Sequence, residues 1–211
     1  MSRAAAIKQG YTTAGRGLAS RSVVGLARTR ITPNALTSSG VALCAAASVL
    51  VLFEGRNDLL FYWLAAAVFV AGSLLDILDG ALARAGGKTT PFGAYLDSTT
   101  DRVSEGFMLT AIAYVLASHH HPVFVAVTMA AVAGSFLVSY TRAKAEALGL
   151  RGDVGIGSRA ERVAVITGGL VLAPWGVLPW ALVLLACTAW ITVGQRVLHV
   201  RKQLMEADSS E

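Results

Sequence analysis

The chain has 211 residues, 55% hydrophobic and only 15% charged, with a mean hydropathy of +0.59. That balance excludes an ordinary soluble domain and points to an integral membrane protein. Lys and Arg number 18 against 13 Asp and Glu, and the basic residues gather before residue 31, at 84–88, at 142–162 and at 196–202. Those segments are expected on the cytoplasmic side of a cell membrane, with both termini there.

The expected fold is all-α, with six transmembrane helices preceded by an N-terminal amphipathic juxtamembrane helix. Residues 1–31 read as a cytoplasmic arm with an interfacial helix, 32–203 as the six-helix membrane domain and 204–211 as a cytoplasmic tail. In the arm, GRGLASRSVVGLARTRI (15–31) sets Leu18, Val23 and Leu26 among Arg16, Arg21, Arg28 and Arg30, a pattern suited to an anionic membrane surface. No cleavable signal peptide is expected, because no apolar run precedes Leu36. Thr32 and Pro33 then supply a cap and a first-turn proline for the first span, with Asn34 and Thr37 together in its first turn.

Apolar stretches near 33–53, 59–84, 106–118, 122–140, 160–174 and 177–198 mark the spans. The third is too short to cross unless it begins at Phe92 and turns its acids towards protein or a wet cavity. Cys44 and Cys187 fall inside apolar spans, so no disulfide framework is expected.

The second and third spans enclose DILDGALARAGGKTTPFGAYLDSTTD, residues 76–101. Helical spacing puts Asp76 and Asp79 on one face and Asp97 and Asp101 on another, and the AGGKTTP connection makes the two halves an antiparallel hairpin. Four clustered carboxylates cannot all stay ionised in a low-dielectric setting without cations. With only oxygen donors nearby, the expected cofactor is a hard divalent ion, Mg²⁺ first and Mn²⁺ second. The plainer alternative is a set of solvated helix-end acids. Gly80, Ala83 and Gly93 keep space beside the acids for a bulky group, and Arg84 is placed for a phosphate or for simple snorkelling.

Further on, His119, His120 and His121 do not converge on one helix face and read as a solvated turn. The glycines around Gly155 and Gly157 follow no strand, which excludes a dinucleotide-binding loop. Ser158-Arg159-Ala160-Glu161 is a capping-box pattern opening the fifth span. Arg159 and Arg162 in its first turn oppose the helix dipole unless an anion binds there. Ser139, Arg142 and Glu146 share a face of the fourth span, so Arg142 and Arg162 are placed to clamp one phosphate.

The run Asp76-x2-Asp79-Gly80-x2-Ala83-Arg84-x8-Gly93-x3-Asp97-x3-Asp101 resembles the signature of the CDP-alcohol phosphatidyltransferases. The resemblance implies a six-helix, usually dimeric membrane enzyme that moves a phosphatidyl group from CDP-diacylglycerol to an alcohol and releases CMP at the cytoplasmic face. It also implies that Asp76, Asp79 and Asp97 bind metal, while Asp101 is the general base and a further metal contact. Gly80, Ala83, Arg84, Thr90 and Gly93 would meet the nucleotide and its diphosphate, and Asn34, Ala35, Leu36 and Thr37 would border the nucleotide pocket.

The 139–162 segment resembles that of phosphatidylinositol-phosphate synthases, although Arg142 stands where lysine is usual. By that resemblance Ser139, Arg142 and Arg162 would hold the phosphate of inositol phosphate, with glycerol phosphate or another alcohol as the alternative acceptor. A membrane prenyltransferase, which also pairs aspartates with Mg²⁺, and a cation transporter are the rival classes. The expected partners are CDP-diacylglycerol, the phosphorylated acceptor, membrane lipids and a second copy of the chain, without nucleic acid.

Overall fold

The computed structural model describes residues 33–85 and 89–208, and every regular element among them is helical. Six α-helices run in order: α1 (Pro33–Val51), α2 (Asp58–Ala85), α3 (Pro91–Ser118), α4 (Pro122–Ala147), α5 (Arg159–Val171) and α6 (Leu178–Asp208). Short 3-10 turns lie at Glu54–Arg56 and Ala173–Trp175. The amphipathic helix expected within 15–31, the Thr32 cap and Lys88 lie outside the described residues.

The sequence punctuates these helices in ways that bonding explains. Pro33, Pro91 and Pro122 each occupy a first helical position, where the missing N–H costs no intrahelical bond. At α5 the capping box forms: the Glu161 N–H donates to the Ser158 hydroxyl, and the Ser158 N–H donates to Glu161 Oε2 at 2.7 Å. Hydroxyls inside the apolar helices donate to the carbonyl one turn back, as Ser48 does to Cys44 at 2.8 Å and Thr128 to Phe124 at 2.7 Å. Such bonds satisfy polar side chains where water is absent.

Four helices, α1, α2, α4 and α6, are long and apolar enough by themselves to cross a membrane. α3 has the length, at 28 residues, but carries Asp97, Asp101, Arg102 and Glu105. α5 has 13 residues, a rise of ~20 Å against a hydrocarbon core of ~30 Å. The described residues form six α-helices where six spans are expected, and length and composition qualify four of them as spans.

Two compact units divide the chain: Met1–Leu43 with Ala71–Val103, and Cys44–Val70 with Ser104–Glu211. In the first, Leu36 of α1 packs with Leu82 of α2, backed by Leu75, Leu78 and Ala81. Gly40 lets these two helices approach closely, since a Cβ there would lie 3.0 Å from the Gly72 carbonyl oxygen. The second unit holds the larger core, with Phe69, Met108, Leu109, Ile112, Ile166, Leu170, Leu182 and Leu185 fully buried. There α6 packs on both α4 and α5, and the Trp190 indole N–H donates to the Ala130 carbonyl at 3.0 Å. His119 Nε2 lies 2.8 Å from Glu54 Oε1. Cys44 and Cys187 form no disulfide.

Candidate functional site

α2 and α3 bring three carboxylates together in the first unit. One oxygen from each of Asp76, Asp97 and Asp101 lies within 4.8 Å of the others, with Asp76 buried and the other two partly so. Asp79 does not join that group. It is 3% exposed, and its Oδ2 accepts a hydrogen bond from the Thr37 hydroxyl of α1. Helical geometry contributes to the difference, since three residues turn the chain by ~300° and Asp79 projects ~60° away from Asp76, whereas Asp97 and Asp101 differ by only ~40°; the approach of α1 with Thr37 completes it.

Three converging carboxylates, with no nitrogen or sulfur donor grouped with them among the described residues, form a hard oxygen set, which fits a divalent cation of the magnesium or manganese type. Thr90 caps α3, its hydroxyl accepting from the Gly93 N–H at 3.0 Å. A Cβ at Gly93 would lie 3.1 Å from that hydroxyl, so a side chain there would crowd the cap. Gly80 and Ala83 are half-buried on α2, Asn34 and Ala35 are exposed on α1, and Leu36 and Thr37 are buried. Arg84 lies in α2, with its side chain outside the described residues.

Arg142, Arg162 and Arg196 belong to the second unit. Arg142 is exposed and pairs with Glu146 one turn on, Nε to Oε1 at 2.8 Å, with each side chain 56% exposed. A pair so open to water is worth only a few tenths of a kcal/mol, so Arg142 can turn to another anion at small cost. Ser139 is partly buried and donates to the Ser135 carbonyl at 3.4 Å.

Arg162 is held quite differently. Its Nε donates to both oxygens of Glu105 on α3, at 2.9 and 3.1 Å, and its Nη1 donates to the Gly157 carbonyl at 2.9 Å. Nothing in the sequence reading supplied this partner; the only signal was that Glu105 follows Asp101 by one helical turn.

A second buried arginine, Arg196 of α6, lies in the basic segment 196–202, which gives no sign in sequence that its first member is buried. Its Nε donates to the Val154 carbonyl at 2.9 Å and its Nη1 to the Val138 carbonyl. Among the described residues, carbonyls are its hydrogen-bond acceptors.

The segment between α4 and α5 is strapped along α6. Gln203 exchanges two hydrogen bonds with the Arg151 backbone, at 3.0 and 2.8 Å. Arg196 holds Val154, and Thr192 lies against Gly155 and Gly157. Gly155 has φ +116°, a conformation in which any side chain would be strained.

Comparison with known proteins agrees with this architecture. The family model described as CDP-alcohol phosphatidyltransferase matches residues 30–194, and the chain belongs to that family. A phosphatidylinositol phosphate synthase of Mycobacterium marinum is 36% identical over 183 residues, 83% of this chain and 76% of its own. An archaetidylinositol phosphate synthase of Pyrococcus horikoshii is 37% identical over 180 residues, 85% of this chain and 88% of its own. The crystal structure of Mycobacterium tuberculosis phosphatidylinositol phosphate synthase with CDP-DAG bound matches with a TM-score of 0.76 at 32% identity, covering 86% of this chain and 92% of that one. The same enzyme in complex with manganese and citrate gives 0.77 at 33% identity, covering 86% and 88%.

Proposed function

We propose that this protein transfers a phosphatidyl group from CDP-diacylglycerol to inositol phosphate and releases CMP. The observation that carries this function is the convergence of Asp76, Asp97 and Asp101 within 4.8 Å in a chain of this family. The names of the two relatives share inositol phosphate and differ in the lipid, which favours this acceptor over glycerol phosphate. A phosphorylated acceptor also suits the charge balance in the second unit. Arg162 is ion-paired with Glu105, whereas the hydrogen bonds of the buried Arg196 go to carbonyls, and a buried cation is stabilised by an anion. Ser139, Arg142, Arg162 and Arg196 are therefore assigned to the acceptor phosphate.

In the reaction, the acceptor hydroxyl attacks the phosphorus of the phosphatidyl group, the bond to CMP breaks, and Asp101 takes the hydroxyl proton. A positioned base of this kind contributes roughly 10²- to 10⁴-fold. A divalent cation, Mg²⁺ with two ions as the proposed complement, supplies positive charge at the diphosphate when bound; the manganese complex of a relative supports a divalent ion. Gly80, Ala83, Arg84, Thr90, Gly93 and the Asn34–Thr37 turn are assigned to the nucleotide. The basic segments at 84–88, 142–162 and 196–202 support a cytoplasmic site with both termini on that side. In the same proposal α3 and α5 complete six spans, residues 1–31 carry the interfacial helix, and two copies form a dimer.

Incubating the purified protein with CDP-diacylglycerol, inositol phosphate and Mg²⁺ should release CMP, and a chelator should stop it. No CMP release would refute the function. Diphosphate release from a prenyl donor would favour the prenyltransferase, and release with glycerol phosphate alone would reassign the acceptor.

Thr37 provides a finer check. If its hydroxyl orients Asp79 as a further metal contact, Thr37→Val should raise the Mg²⁺ concentration for half-maximal activity by roughly 10- to 100-fold, the usual cost of losing a group that orients a ligand. An unchanged Mg²⁺ titration would remove Asp79 from the metal site.

A further inference from the structure

We infer that Glu105 is the positioning residue of the acceptor site, holding the Arg162 guanidinium in the one orientation from which it meets the phosphate of inositol phosphate. This rests on the acceptor assignment made above and extends it to a side chain that the family signature does not include. Both oxygens of Glu105 accept from Nε of Arg162, at 2.9 and 3.1 Å, while Nη1 is tied to the Gly157 carbonyl at 2.9 Å. The two side chains are only 6% and 8% exposed.

An arginine with free rotamers loses that freedom whenever it binds a ligand. One already tied at two nitrogens has lost it on folding, so the ligand meets a preorganised fork. The bonds named use Nε and one Nη1 proton, and Nη2 makes no hydrogen bond among the described residues. That leaves one edge of the fork for an anion.

The second tie is itself braced. Gly157 lies against Thr192, its segment is held by Arg196 through Val154, and Gln203 fixes Arg151 farther along. Glu105 thus acts on the acceptor through Arg162, without touching it. Its position also explains why a carboxylate sits in a site built for an anion. It neutralises Arg162 during folding, while Arg142 and Arg196 remain to attract the phosphate.

A positioning role and a mere counter-charge differ in what length does to them. Glu105→Asp keeps the charge, and with it the buried pair, but withdraws the carboxylate by one methylene and drags Arg162 out of place. Kinetics would be measured on full-length wild type, Glu105→Asp and Glu105→Ala, varying inositol phosphate at saturating CDP-diacylglycerol and then the reverse.

Glu105→Asp is expected to raise the acceptor KM by about fivefold or more, with the donor KM within about twofold of wild type, because only acceptor contacts are displaced. Glu105→Ala should show the larger acceptor effect, about tenfold or more; should it fail to fold, Glu105→Asp decides alone. A wild-type acceptor KM in folded Glu105→Asp, or an equal rise for both substrates, overturns the positioning role. Wild type that releases no CMP with inositol phosphate would instead overturn the acceptor assignment on which it rests.

Discussion

Asp97→Asn is expected to cut CMP release by at least ~100-fold while leaving the chain folded, which exceeds the usual cost of removing a merely supporting partner of a metal. The side chain is one of three whose oxygens lie within 4.8 Å of each other. An amide keeps its shape and removes one negative charge, so any loss reports on charge rather than packing. Relieving repulsion among the acids should, if anything, make the variant more stable without metal. A variant that is thermally intact or stabilised, yet inactive and no longer stabilised by Mg²⁺ or Mn²⁺, is the expected combination. Normal turnover would end the metal assignment.

Asp101→Asn should also be inactive, for a separable reason. As the proposed base it takes the acceptor proton, so the variant should lose roughly 10²- to 10⁴-fold in kcat and still bind CDP-diacylglycerol. Loss of donor binding together with kcat would make Asp101 a metal ligand and nothing more.

The other large effect concerns Arg162. Arg162→Ala should lower kcat/KM for inositol phosphate by roughly ten- to a hundredfold, since a hydrogen bond to a charged group is worth about 1.5–3 kcal/mol. The structure adds a complication. Removing Arg162 leaves Glu105 buried without its partner, and breaking a buried ion pair typically costs about 3–5 kcal/mol. Arg162→Lys avoids this by keeping a cation opposite Glu105 and losing only the fork. It should fold, and its acceptor KM should rise while the donor KM stays. Arg142→Ala is the contrasting case: its surface pair contributes almost nothing to stability, so any change in acceptor KM there reports on binding alone. If folded Arg162→Lys and Arg142→Ala both kept a wild-type acceptor KM, the phosphate clamp would be wrong, and with it the preference for a phosphorylated acceptor.

The features legible in the sequence depend on neighbours along the chain. Six helices follow from apolar runs bounded by prolines and glycines, and their observed limits fall within a few residues of expectation at most ends. The start of α3 at Pro91, well ahead of the clean apolar run at Gly106, follows from needing Asp97, Asp101 and Glu105 on one helix. The capping box at Ser158 and Glu161 was legible because its bonds join residues three apart. The acidic pairs were legible through helical periodicity, as far as which residues share a face.

Where the acids end up depends on more than periodicity. That Asp76 meets Asp97 and Asp101 while Asp79 turns to Thr37 depends on how α1 approaches α2, which a glycine contact between Gly40 and Gly72 permits.

By itself, then, the sequence determined the helical class, the order of the helices, the all-oxygen donor set of the acids and, through its signature, the family. Only the tertiary structure decided which side chain answers which. Arg142 and Arg162 look alike in sequence, both basic and both near helix ends, yet one forms an open surface pair and the other is buried against Glu105, 57 residues away along the chain. Arg196 reads as a basic helix end and proves to be a buried brace on the Val154 and Val138 carbonyls. The physical reason is burial. Water can satisfy an exposed guanidinium anywhere, so its partner is free to vary, whereas a buried one must find acceptors among groups that only packing brings within reach.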